Sequence, residues 1–580
     1  MPPDPDPPRG RRARHVRRSP NRHRRALLVG AVAVVIALAA VIVVTTSDSP
    51  GRETHRHVLA ISSKRRSGGR RAGGRATVQI RTFLGSSGVE SSAIIAQNRL
   101  PGTSTWAITG APAGGSIAGF ANTTYASEGQ QVVLYVSTTA PQFRVVAYRM
   151  GYYQGKGGHQ VWSSPELPGR VQPTCPVTPG VNMVSCDNWS PSLTMTITSA
   201  FMQGDYLLKL IGSGNQQSYV LLTVWAPTST AAYLVMSRSL TEQGWNTYGG
   251  YSYYQGKGPC TLGQTGSYPP CNRARVVSFD RPYATGQGAS DFLSNEYPLI
   301  RFMEKHGLDT AYCTDITVDE HPTMLLHHRV LLSLGHDETW TMTERLAAQT
   351  ALAHGVNIAF MGAAPLVRHA RLQASPLGPD REEVDYRNST EDPLNGTGHT
   401  ATVTGNTFAT PPTNDPVTTL VGAEYSGYLD PGVAPVPLVV HQSTAWLFKD
   451  TGLQDGASVS GVVVSDIDHV NPTASPADLE VLAHSPVSLS EAYTNQGTWG
   501  GDTYADTTYY TDPSGDGGVF ESGTVNWIDA LDPCLPAGGS CPNATLETMT
   551  GNLLWLFGQG PAGTLDPSVS NLSGVTPPGS

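Results

Sequence analysis

The sequence predicts a β-sandwich followed by an α/β domain, both carried behind one N-terminal membrane-spanning helix. Three observations predict it. A nineteen-residue run without a charge, Ala26 to Val44, follows a dense cluster of arginines. Short alternating or apolar segments separated by turn residues fill residues 115–228. From residue 229 the rhythm changes to wholly apolar strands alternating with helix-like stretches.

The apolar run corresponds to roughly 28 Å of helix, enough to cross a bilayer core. A cleaved signal peptide would have a shorter apolar region ending in a small-x-small site, and VVTTSDSP is a poor match to one. The fifteen residues before the run hold eight arginines and the fifteen after it hold Arg52 and Arg56. That asymmetry sets residues 1–25 as a cytoplasmic tail, 26–45 as the spanning helix in the cell membrane, and the bulk of the chain outside. Residues 46–114 then read as a disordered basic stalk and linker. Residues 1–81 carry 18 Lys and Arg against 4 Asp and Glu, whereas the remainder carries 20 against 42. So acidic a body argues against nucleic-acid binding, which needs a basic face.

Cysteine spacing fits the same compartment. Cys175 and Cys186, Cys260 and Cys271, and Cys534 and Cys541 form three close pairs around loops rich in Pro and Gly. Disulfides suit an exported chain, and the spacing is wrong for zinc knuckles. Cys313 is left over within an apolar strand, as a buried thiol.

In the sandwich, QVVLYVST (131–138), FRVVAYRMG (143–151), SLTMTITS (192–199), DYLLKLIG (205–212) and SYVLLTVW (218–225) have strand length and pattern. Their number and spacing suggest an immunoglobulin-like build. In the second domain, 229–562, AYLVMS leads through an aromatic loop to VVSFD (276–280), then to a helical stretch, DFLSNEYPLIRFMEKHG. Pro298 should kink or break that stretch, and Gly307 should end it. DTAYCTD, HRVLLSLG (328–335) and VNIAFMG (356–362) are further strands. TMTERLAAQTALAHG is a helix opened by a Thr341/Glu344 capping box and stopped by Gly355. Apolar strands alternating with helices mean a parallel sheet covered on both faces. Short strands and long loops follow, then a last helix, ATLETMTGNLLWLFGQG, and a disordered tail at 563–580.

Ligands of open parallel sheets bind at the C-terminal strand ends, which directs attention to GHDETW (335–340). Gly335 turns the chain, and His336, Asp337 and Glu338 emerge before a helix. A histidine two residues from a carboxylate can supply a metal ligand with a neighbouring base, or an acid/base pair. The alternative is a polar turn with acids favouring a helix N-terminus. A second cluster, Gly244 to Gly258, interleaves Trp245, Tyr248, Tyr251, Tyr253 and Tyr254 with Asn246 and glycines. It suits stacking on a sugar or other flat ligand, or phenolate ligation, against the plainer reading of loop aromatics packed on the sandwich. The chain contains no GxSxG elbow, P-loop or HExxH.

RARVVSFDRP (273–282), NEYPLIRFMEKHGLDTAYCTD (295–315), LLSLGHDETW (331–340), the Gly-Ala-Ala at 362–364 and RMGYYQGKGGHQV (149–161) together resemble the large (beta) subunit of N,N-dimethylformamidases. The resemblance covers roughly residues 120–560 and is to a divergent, membrane-anchored member of actinobacterial type. It implies a sandwich followed by a glutamine-amidotransferase-like α/β domain. It also implies hydrolysis of a small amide at a mononuclear iron held by two tyrosines and a glutamate, beside a histidine. Glu338 and His336 match the glutamate and histidine, and Tyr206 the first tyrosine. Trp245 stands where the second is expected, with Tyr248 or Tyr254 as substitutes. Thr339 and Ala364 replace a tyrosine and an asparagine of the family pattern.

The expectation is therefore a hydrolase of small amides or related C–N bonds, with His336 and Asp337 moving protons and Glu338, Tyr206, Tyr248 and Tyr254 around iron. The alternative is a non-catalytic envelope protein that binds glycan or wall polymer through Trp245, Asn246 and Tyr251. The substrate and any small partner subunit cannot be read from the chain.

Overall fold

The parallel sheet of the α/β domain has the strand order Thr310–Thr314, Tyr233–Ser237, Val330–Leu334, Asn357–Met361, Gly518–Glu521, Gly497–Thr511, Glu480–Thr494. In this computed structural model the described residues are 89–109, 115–260, 270–405, 407–429, 433–494, 497–535 and 539–575. The first five strands are parallel, and the last two form an antiparallel hairpin at one edge. Alternate residues of each central strand enter different cores. Tyr233, Val235 and Leu332 pack on one face, and Leu234, Met236 and Leu331 on the other. That two-sided burial is why these strands read as unbroken apolar runs.

The expected elements form with their expected stops. Helix Met342–Ala353 opens with the Thr341/Glu344 capping box, both arms present, and Gly355 follows in the left-handed region at φ +85°. The stretch from Asp291 splits into Phe292–Asn295 and Tyr297–Lys305, with Pro298 in the first turn of the second helix. One strand departs from expectation. Val276–Ser278 stays out of the parallel sheet and pairs antiparallel with Gly378–Val384, in a four-stranded sheet with Arg368–Ser375 and Thr339–Thr341.

The sandwich sets a three-stranded sheet (Ile117–Ala121, Gln131–Thr138, Leu193–Thr196) against a larger one built on Gln142–Met150, Gly204–Gly212 and Gln217–Val224. Val132, Leu134, Val145, Leu208 and Leu210 fill the space between them. A buried ion pair joins sandwich to α/β domain: Arg149 Nη2 lies 2.5 Å from Glu304 Oε1, both side chains fully buried. Tyr312 donates to Glu304 Oε1 at 2.7 Å and Asn98 to Oε2 at 2.8 Å.

Two segments expected to be disordered are ordered where described. Residues 89–109 hold a helix, Ser92–Gln97, and pin themselves by Ile94 and by Trp106, whose ring meets Tyr297 edge-on at 5.7 Å. Residues 563–575 lie along the sheet edge, where Asn571 bonds both the N–H and the carbonyl of Val481. Isolated apolar and amide anchors in a polar stretch carry no periodic signal, so composition misjudges them. The span at 26–45 lies outside the described residues; among those, no helix is long and apolar enough to cross a membrane. All three disulfides, Cys175–Cys186, Cys260–Cys271 and Cys534–Cys541, are formed, and Cys313 is a buried free thiol.

Candidate functional site

Two glycines bring the strand ends together. Gly335 takes φ +56° as strand Val330–Leu334 ends, and Gly362 packs so closely that a Cβ there would lie 1.6 Å from the Gly335 carbonyl oxygen. The turn sends the next three side chains in different directions. Asp337 points inward, where its Oδ2 accepts from Ser333 at 2.7 Å. Burial pushes its carboxyl up to about 6, against the opposing pull of the Ser333 hydrogen bond and Arg238. His336 stays near the surface, its carbonyl held by Arg238 Nη1 at 3.0 Å. Glu338 projects beneath the aromatic loop.

Glu338 accepts three donors. Tyr254 Oη and Arg368 Nε (2.9 Å) donate to Oε1, and Trp245 Nε1 donates to Oε2 at 3.0 Å. His336 Nε2 lies 3.9 Å from Oε2. Burial alone would raise this carboxyl, but Arg368, His336 and Arg387 outweigh it and bring it down to about 2. Burial and the Glu338 charge push the Tyr254 phenol well above its ordinary range, against the opposing pull of Arg387 and Arg368, so Glu338 is the anion and Tyr254 the donor. Trp245 ends helix Ser239–Trp245 and stacks on Tyr254 with centroids 3.6 Å apart and planes 10° from parallel. Arg387 backs the pair at 4.4 Å from the Tyr254 centroid, a cation–π contact. Trp245 is 41% exposed, unusually open for a tryptophan fixed by a hydrogen bond.

The structure thus assembles His336, Glu338, Trp245 and Tyr254, and it places the other predicted residues elsewhere. Tyr206 lies in the sandwich core with its hydroxyl donating to Met202 O at 2.7 Å, the geometry of a tyrosine corner. Tyr248 packs beside Phe120, Trp189 and the Cys175–Cys186 bridge. Asn246 spends its amide tying the aromatic loop to the 282–284 segment, donating to Gln243 Oε1 and Pro282 O and accepting from the Tyr248 and Ala284 N–H groups. Tyr251 donates to Lys257 O at 3.1 Å. Arg368 and Arg387 went unforeseen. The available signal was physical: a buried carboxylate requires a positive partner.

These residues do not fit a mononuclear iron held by two phenolates and a carboxylate. Both Glu338 oxygens are occupied by N–H and O–H donors. An indole N–H presents a proton where a ligand needs a lone pair, and Arg368 already supplies the positive charge.

A sandwich docked on an α/β domain, with its polar cluster at the parallel strand ends, defines the class of protein. The chain belongs to the N,N-dimethylformamidase beta subunit-like family, whose C-terminal region it matches over residues 144–543. No curated protein matches it. Among solved structures it is similar to a Paenibacillus sp. cycloisomaltooligosaccharide glucanotransferase complexed with cycloisomaltoheptaose, at 9% identity and a TM-score of 0.13, covering 47% of this chain and 34% of that one. The matched part spans about a third of that chain, and so slight a likeness carries no functional argument.

Proposed function

We propose that this chain is a membrane-anchored, extracytoplasmic member of the family that binds glycan or wall polymer on the Trp245–Tyr254 stack, without iron. The observation that carries the reading is the donor set on Glu338: Trp245 and Arg368 take the places where a ligand and a metal charge are required. What results is a rigid, half-exposed indole backed by Tyr254 and flanked by His336 and a fixed carboxylate. An apolar face beside a few fixed polar groups suits the C–H face and hydroxyls of a sugar ring. The arginine-flanked apolar run at 26–45 and the three disulfides support placement outside the membrane.

A hydrolase of small amides is the second reading, favoured by His336 Nε2 lying 3.9 Å from Glu338. Glu338 itself, ionised down to about 2, is too weak a base for that role. One preparation of the full chain in detergent separates the two. Metal analysis should find no stoichiometric iron, and Trp245→Ala should weaken retention on cell-wall polysaccharide by about tenfold or more, equivalent to ~1.4 kcal/mol. Stoichiometric iron lost in Glu338→Ala, together with turnover of formamides, would establish the hydrolase instead.

A further inference from the structure

Helix Ser239–Trp245 has the aromatic platform at its C-terminal end and a second feature at its start. Between sandwich and α/β domain lies a cavity of about 60 Å³ whose walls include Asp205, Ser237, Arg238, Glu242 and Glu296. Asp205, Glu242 and Glu296 are all buried; Arg238 lies 2.8 Å from Glu242 and 3.8 Å from Glu296, while among the described residues Asp205 forms no ion pair and feels only the more distant charge of Arg149. The other arginines on the wall are committed elsewhere. Arg381 pairs with Asp280 at 2.8 Å, and Arg281 donates to Gln243 Oε1 and to the carbonyls of Tyr248 and Tyr251.

Asp205 is the group left short. Its Oδ1 accepts from Thr223 at 2.6 Å, while the Ser237 hydroxyl, 3.5 Å away, is nearer to Glu296 Oε2 at 2.8 Å and can donate only once. Asp205 Oδ2 is buried with no hydrogen-bond partner among the described residues. A buried carboxylate oxygen without a donor is costly, and two surplus carboxyls beside one arginine compound the cost. Phe279 and Phe292 are among the residues lining the same space, and carboxylates with aromatic faces are the recognition chemistry of an organic cation. By volume the cavity holds on the order of four waters, or a cation of similar size. Arg238 also lies 4.0 Å from Asp291, whose side chain is 59% exposed.

We infer that this interdomain cavity is a binding site for a small alkylammonium ion, with Asp205 Oδ2 as its principal acceptor. The site is separate from the Trp245 platform and does not depend on the reading given to it.

The test is calorimetric titration of the full chain at pH 9, where Asp205 and Glu296 are ionised, with methylammonium chloride at constant ionic strength, against sodium chloride and the bulkier tetramethylammonium. One saturable site for methylammonium is expected, with neither control binding there. Asp205→Asn and Glu296→Gln should each raise its Kd at least about tenfold, while Trp245→Ala should not. No saturable binding in the unaltered chain, or unchanged affinity in both carboxyl variants, would overturn the proposal. Should those variants fail to fold, NMR on the unaltered chain decides: magnetisation transfer from the methylammonium methyl to the Phe279 or Phe292 ring supports the site, and its absence under saturation refutes it.

Discussion

Replacing Arg149 by alanine is expected to destabilise the folded chain by about 3–5 kcal/mol, the range for breaking one side of a buried ion pair. The guanidinium is fully buried, and Glu304 opposite it is equally so. Its Nε donates to Gln203 O at 2.9 Å and one Nη1 bond goes to Tyr153 Oη at 2.9 Å, so sandwich and docking loop lose partners together. What remains is Glu304 with Asn98 and Tyr312 as donors but no counter-charge. Glu304→Gln retains hydrogen-bonding capacity while removing the charge, so it strands Arg149 instead and should cost a comparable amount. The double variant Arg149→Met with Glu304→Leu should recover part of the loss, because it leaves no buried charge unpaired, although the Tyr312 hydroxyl and the Gln203 carbonyl lose these partners. Urea denaturation of the three variants checks this. Single variants within about 1 kcal/mol of the parent would mean that the pair does not hold the sandwich on the α/β domain.

Much of this architecture is legible from pattern. Strands buried on two faces must be apolar throughout, and strands of a sandwich must alternate, so both kinds announce themselves in Val330–Leu334 and Gln131–Thr138. Caps are equally local: Thr341 and Glu344 need only their spacing. The site is legible by halves. Gly335 and the three residues after it mark a turn at a strand end, which locates His336 and Glu338, and an aromatic loop nearby supplies Trp245 and Tyr254. Nothing local says which tyrosine reaches Glu338. Tyr206, Tyr248 and Tyr254 are equivalent in sequence, and tertiary placement alone gives Tyr206 to a sandwich corner and Tyr248 to a disulfide-lined cluster. Arg368 opens a strand of a separate sheet that borrows Val276–Ser278 from the expected parallel order, and Arg387 lies in a bend just beyond another strand of that sheet, so their approach to Glu338 has no signature in spacing.

The same separation between local pattern and tertiary charge governs the pH profile. Burial pushes the carboxyls of Asp205 and Glu242 up to about 7 and that of Glu296 to about 8, only partly countered by Thr223 and Arg149 for the first and by Arg238 for the other two. In the unfolded chain these groups titrate near 4. Between pH ~4 and ~8 the folded chain therefore keeps protons that the unfolded chain has released, and stability must fall as pH rises through that window. Glu338 works in the opposite sense: held down to about 2, its contribution is present above about pH 4 and is lost as pH falls toward 2. Stability of the full chain should thus peak near pH 4–5 and drop toward pH 8. A tenfold change in proton affinity is about 1.4 kcal/mol, so the three cavity carboxyls together should account for several kcal/mol of that drop. Glu296→Gln, neutral at every pH, should flatten the alkaline limb while leaving the acid limb in place, because only Glu338 and its like act there. Urea midpoints at pH 5 and pH 8 measure the difference directly. A chain more stable at pH 8 than at pH 5, or a Glu296→Gln profile parallel to the parent, would show that Arg238 and Arg149 already hold the cavity carboxyls ionised.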